Sequence, residues 1–153
     1  MKKVQSLIFI FVLSLVSSVN LIAQSYKTDD IVGVWLNEEK EGRIEIYKNG
    51  NQYFGKIIWL KEPNDKETGK PKVDKKNPET KLRNIPILGL VVMKNFKFNG
   101  ENEWEDGSIY DPKSGSTYNC YIQLENRNTL KVRGYIGKSW MGLGRTTHWT
   151  RIK

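Results

Sequence analysis

The segment RTTHWTRIK, residues 145–153, holds the only histidine of the chain, His148, beside Trp149 and between Arg145 and Arg151. It reads either as an active site or as the strand that shuts a sheet on itself. Its β-branched and aromatic residues suit a strand, and on a strand His148 and Trp149 point to opposite faces. A lone histidine with no second His or Cys nearby is a poor metal site, and a general base needs a partner within reach. Cys120 is the only cysteine, so neither an internal disulfide nor a cysteine metal centre can form. No metal ligand, cofactor or catalytic residue is assigned.

Upstream of this segment the period-two pattern continues, and no run of a dozen residues shows a helical face. Strands are expected at 31–36, 42–47, 52–59, 88–98, 104–110, 117–124, 129–136 and 145–152. Asn49-Gly50 accepts the positive φ angles of a tight hairpin between the second and third. The stretch 60–87 holds four of the five prolines and seven lysines, which makes it one long loop between strands three and four. The fold class is therefore all-β: an eight-stranded antiparallel up-and-down barrel, large enough for one small ligand. Closure sets the first strand beside the last, so that Gly33-Val34-Trp35 lies along Trp149-Thr150-Arg151.

That juxtaposition resembles the lipocalin and wider calycin pattern, in which a Gly-x-Trp on the first strand is covered by an arginine from the last. The resemblance implies a structural clasp of Gly33, Trp35 and Arg151, with Trp149 assigned to the same seam. Four ordered blocks, GVWLNEEKEGRIEIYKNGNQYFGKIIWL, DKKNPETKLRNIPILGL, GSIYDPKSGSTYNCYIQL and LKVRGYIGKSWMGLGRTTHWTR, resemble the exported bacterial family called domain of unknown function 2147. This likeness implies a lipocalin-like barrel and an exported protein, but carries no catalytic residues with it.

Lys2 and Lys3 precede the apolar run 7–16, and Leu21-Ile22-Ala23 follows, so residues 1–23 read as a signal peptide and 24–153 as a single β-barrel domain. The run is shorter than the ~20 apolar residues of a membrane-spanning helix, and no cysteine follows it to carry a lipid. The expected product is periplasmic or secreted, with no stable membrane anchor. Losing Lys2 and Lys3 leaves 23 basic against 17 acidic residues, a net charge of +6. The basic residues are scattered among acids, which argues against a nucleic-acid partner.

Alternate connections of such a barrel gather at one end. Residues 37–41, 60–87, 111–115 and 137–144 share an end, which is the expected mouth because long loops on a rigid scaffold carry binding residues. There Asp74, Asn77 and Pro78 form a loop staple, an Asx-type turn that aims Arg83 inward or across the opening. Asp111 is expected to pair with Arg83 or Arg145. In GKSWMGLG, 137–144, three apolar residues make either a lid fixed over the barrel end or a hinged gate. As a gate, Trp140 and Met141 cover an apolar tail while Arg83 and Arg145 meet an acidic head group. Glu38, Glu39 and Glu41 read as a solvated turn, and Cys120 as a buried thiol on the face shared by Tyr118, Ile122 and Leu124.

The chain contains no Gly-x-Ser-x-Gly, His-Glu-x-x-His or Gly-rich phosphate loop. The expected role is binding a small apolar or amphipathic molecule in the cell envelope. The alternative is a barrel filled by its own aromatic residues, acting as a structural module or contacting an envelope protein partner. Interior volume separates the two.

Overall fold

A computed structural model of the chain describes residues 25–152; the expected signal peptide, 1–23, lies outside them. Eight antiparallel strands close into a barrel in sequential order: β1 (Gly33–Leu36), β2 (Gly42–Asn49), β3 (Gln52–Leu60), β4 (Val91–Phe98), β5 (Glu103–Asp111), β6 (Ser116–Asn126), β7 (Thr129–Tyr135) and β8 (Gly144–Ile152). Two strands start later than the patterning suggests. Ile31 leaves β1 to become a fully buried plug at the end of a turn. Leu88 stays exposed ahead of β4, where Gly89 turns the chain at φ 93°.

Alternation places Ile44 and Ile46, Tyr53 and Ile57, Ile122 and Leu124, and Leu130 and Val132 inside. Cys120 is fully buried in the same row as Ile122 and Leu124, and burial pushes its thiol pKa far up. The alternation is interrupted in β4. Between Lys94↔Ser108 and Lys97↔Glu105 the β4–β5 ladder is interrupted, with Asn95 at φ 66° and Asp106 at φ 60°. This gap lays Phe96 on Gly107, where a Cβ would clash with the ring; Val92 and Met93 are buried in succession where the β3–β4 register shifts between Gly55↔Met93 and Lys56↔Val91.

The short β1 is hydrogen-bonded on both edges, Trp35 lying opposite Ile44 on β2 and Arg151 on β8. The Arg151 guanidinium carbon sits 4.1 Å from the Trp35 ring centroid. Its Nη1 donates to the Val32 carbonyl at 2.9 Å and its Nε to that of Arg127 at 2.7 Å. Gly33, at φ 141°, is required there, since a Cβ would come within 2.7 Å of Arg151 Nη1. Trp35 Nε1 donates to the Ile31 carbonyl at 2.9 Å, so burying the indole leaves no polar atom unmet.

The same end is filled by aromatic rings. Trp104 packs against Phe98 with centroids 4.8 Å apart and edge-on to Tyr53 at 6.4 Å, while its Nε1 reaches the Thr28 carbonyl at 3.1 Å. The segment from Tyr26 to Val32 thus closes this end of the barrel.

Trp35→Ala is expected to destabilise the fold by ~3–5 kcal/mol, the range for a buried Trp truncation, and Arg151→Ala by less. Urea midpoints check both. Cys120 is expected to resist a thiol reagent in the native protein and to react on unfolding; rapid native labelling would reverse the faces of β6.

Candidate functional site

The other half of the barrel is hollow. A cavity of about 1010 Å³ opens between the connections 37–41, 61–90, 112–115 and 136–143, the end expected from strand parity. Its wall is apolar, with Ile44, Ile57, Val92, Ile109, Val132 and Trp149 among its residues. Each projects from a strand at the inward phase, and the space between them stays open, since the fully buried rings Phe96, Trp104, Tyr53 and Trp35 converge toward the opposite end.

Charged side chains ring the opening. Lys113, on the β5–β6 turn, donates to Glu41 Oε2 at 2.7 Å, and Arg145 Nη2 to Glu39 Oε1 at 2.6 Å. Glu62 faces Lys66 at 3.1 Å and Lys72 at 3.7 Å. The β1–β2 and β5–β6 connections are diametrically placed in an eight-strand barrel, so Glu41–Lys113 spans the opening. The hydrogen bond from Lys113 holds the Glu41 pKa below its ordinary value, and Glu41 raises that of Lys113. Being exposed, such pairs add little to stability; their position is what matters. The three glutamates are therefore not a merely solvated turn. Glu38 Oε1 also accepts the His148 backbone N–H at 3.2 Å. The His148 ring lies outside, its Nε2 3.4 Å from Glu125, and does not line the cavity.

The long loop is fixed to the wall by the expected staple. Asp74 is fully buried; its Oδ1 accepts the Tyr110 hydroxyl at 2.8 Å and its Oδ2 the Asn77 amide at 2.7 Å. Asn77 Oδ1 accepts the Glu79 N–H at 2.9 Å, and Pro78 sits exposed between them. Burial first, then the Asp74 carboxylate, pushes the Tyr110 pKa up to about 12. Gly115, at φ 74°, lies so close to the Lys76 carbonyl that a Cβ would approach within 2.1 Å. Both β5 and the β5–β6 turn thus hold the loop, and Tyr110 also lines the cavity.

Of the expected ligand contacts, Asp111 and Arg145 line the mouth. The others do not come together with them. Arg83 is exposed and turned back, its Nε donating to the Asn77 carbonyl at 2.8 Å. Asp111 pairs with neither arginine; it accepts the Lys113 N–H at 2.9 Å and the Ser114 hydroxyl at 2.8 Å within its own turn. Arg145 takes Glu39 instead, because β1 and β8 are neighbours. Trp140 is 81% exposed and, like Met141, is absent from the cavity wall. A 3-10 turn, Ser139–Met141, runs between Gly137 at φ 75° and Gly142 at φ 76° and carries the indole outward. Neither a fixed lid nor a closed gate is formed. Trp149 belongs to the cavity rather than to the clasp: it lies opposite Leu130 on β7, beyond the Thr150–Ile152 segment that pairs with β1. Ile109, Tyr110, Lys113 and Ile136 are lining residues that the sequence does not single out, while Leu143, one of the three apolar residues of the 137–144 connection, does line the cavity; Ile136 continues the inward parity of Leu130 and Val132.

A closed eight-strand antiparallel barrel, packed at one end and hollow at the other, is a lipocalin-like barrel. The solved structure of protein HP1028 from the human pathogen Helicobacter pylori, described as belonging to the lipocalin family, is similar at a TM-score of 0.68 with 25% sequence identity, over 80% of this chain and 82% of that one. The chain belongs to domain of unknown function 2147, described as uncharacterised proteins conserved in bacteria, whose family model matches residues 33–151. No curated protein matches the sequence.

Tyr110→Phe removes a hydroxyl donor from the buried Asp74 carboxylate, and an acceptor left unmet costs ~1–3 kcal/mol. A lower thermal midpoint is expected. An unchanged midpoint would mean that the staple does not hold the loop.

Proposed function

We propose that the protein binds a small apolar or amphipathic molecule in the barrel cavity, with the apolar part inside and the polar end at the rim. The observation that carries this reading is the cavity itself: about 1010 Å³ with a predominantly apolar wall and a charged margin. That volume lies at the upper end of the ~300–1,000 Å³ typical of small-molecule sites, and it counts against the alternative of a barrel filled by its own side chains. Asp111 and Arg145 at the margin contact the polar end, together with Lys61 and Lys113. The fold likeness to a protein described as a lipocalin supports the same reading.

The site of action is the periplasm or the exterior. Its support is the pattern of residues 1–23, a basic start followed by an apolar run and a small residue at a cleavage position.

Ile109 lines the cavity without being fully buried, so Ile109→Trp puts an indole into ligand space. Uptake of a fluorescent fatty-acid probe is expected to fall at least tenfold, while the urea midpoint stays within ~1 kcal/mol of the parent's stability. Native mass spectrometry of protein purified from its own host reports the natural occupant. Unchanged uptake in the variant, with the parent also carrying no small molecule, would overturn the proposal.

A further inference from the structure

Large apolar side chains with more than a third of their surface exposed number eight among the described residues, and four fall within eight positions of the β7–β8 connection: Ile136, Trp140, Met141 and Leu143, at 62%, 81%, 48% and 58% exposure. Single exposed apolar residues are ordinary; a contiguous cluster is not. Two others, Ile85 and Leu88, lie on the long loop at the same end.

The cluster is displayed by construction. The Ile136 N–H donates to the Leu143 carbonyl at 2.9 Å and closes the base of the connection. Asn119 Nδ2 holds the Gly137 carbonyl at 3.1 Å, and the Met141 N–H donates to the Lys138 carbonyl at 3.0 Å. Gly137 and Gly142 both adopt positive φ, which glycine tolerates without strain. The Met141 sulfur folds back over Gly137. Trp140 is left at the apex with no ring partner among the described residues.

Two observations identify the occupant of this tip. The first is charge. The mouth-end stretches 37–41, 61–87, 111–115 and 137–145 carry twelve basic and nine acidic residues, whereas 25–32, 48–51, 99–103 and 125–128 at the closed end carry three and five. The net charge of the connections therefore changes sign from one end of the barrel to the other, and the positive end is the one with the apolar apex. The second is continuity. Ile136 and Leu143 are both exposed members of the cluster and lining residues of the cavity, so the exposed apolar cluster reaches the cavity rim.

We propose that the β7–β8 connection is a membrane-contact tip: Trp140, Met141 and Leu143 enter the interface of an anionic phospholipid bilayer while Lys138 and the mouth lysines meet its headgroups. Tryptophan favours the headgroup level of a bilayer, and basic residues beside it are attracted to anionic lipid. The contact is peripheral and reversible. It deepens the ligand-binding reading, on which it rests for one consequence: an apolar molecule passes between bilayer and cavity along Leu143 and Ile136 without crossing water.

Co-sedimentation with vesicles of equal parts phosphatidylglycerol and phosphatidylcholine tests the tip, with pure phosphatidylcholine as the comparison. The parent protein is expected to bind the anionic vesicles, more weakly as salt rises. Trp140→Ser is expected to weaken binding about tenfold, as losing one large buried apolar side chain does, with an unchanged urea midpoint; Trp140→Phe retains most of the binding. Ile109→Trp, with its cavity blocked, is expected to bind vesicles like the parent, which separates failure of the tip from failure of the ligand site. Absence of parental binding, or parental binding by both Trp140→Ser and Leu143→Ser, overturns the proposal. So does a Trp140→Ser variant that binds vesicles normally but loses probe uptake, since the indole would then be a lid.

Discussion

Closure of the barrel at β1 is the constraint on which the rest depends. A strand of four residues must bond on both edges, and so short a ladder is weak by itself. Arg151 reinforces it by lying on the Trp35 face while donating to carbonyls of Asp30, Val32 and Arg127. One side chain thereby ties β8 to the N-terminal segment, to β1 and to the β6–β7 turn. Closing the seam removes the two free edges that an open sheet exposes. It also sets the segment Tyr26–Val32 beneath Trp104 and Tyr53, where it seals one end.

Sealing that end divides the interior. The rings of Trp35, Tyr53, Phe96 and Trp104 occupy the lower half, packed around Met93 and Ile46. Above them most inward positions carry aliphatic residues, Ile44, Ile57, Val92, Ile109 and Val132, with Trp149 and Tyr110 set into the wall, and the long loop extends the wall beyond the strand ends. The buried Asp74, satisfied by Tyr110 and Asn77, holds that extension in place. A filled floor and an open upper chamber thus follow from the same alternation, the floor being where four large rings converge.

Fold and mouth were legible because they depend on local period and strand parity. Ile44 and Ile46, Ile122 and Leu124, and Leu130 and Val132 announce their faces two residues apart, and the grouping of long connections follows once eight strands are counted. The seam was legible through Gly33, Trp35 and Arg151, supported by family likeness. What escaped depends on distant geometry. Nothing local makes Glu39 rather than Asp111 the partner of Arg145, 106 positions away, nor directs Tyr110 to Asp74 across 36. Val92 and Met93 are buried consecutively where the β3–β4 register shifts opposite Gly55 and Lys56, and no residue type there announces the shift. Trp140 was read as a cover because apolar residues usually seek burial, whereas the backbone twist at Gly137 and Gly142 decides its direction.

The bar formed by Glu41 and Lys113 crosses the opening as a contact between two exposed side chains. Under the proposed binding role it bears on exchange rather than on affinity, since it belongs to the rim and not to the apolar wall. Dissolved ions weaken exposed charge contacts, so salt loosens the bar without touching the chamber. The hydrogen bond from Lys113 holds the Glu41 pKa below its ordinary value, so the bar tolerates acid better than a free glutamate would. The barrel thus separates a charged rim, responsive to the medium, from an apolar chamber that is not.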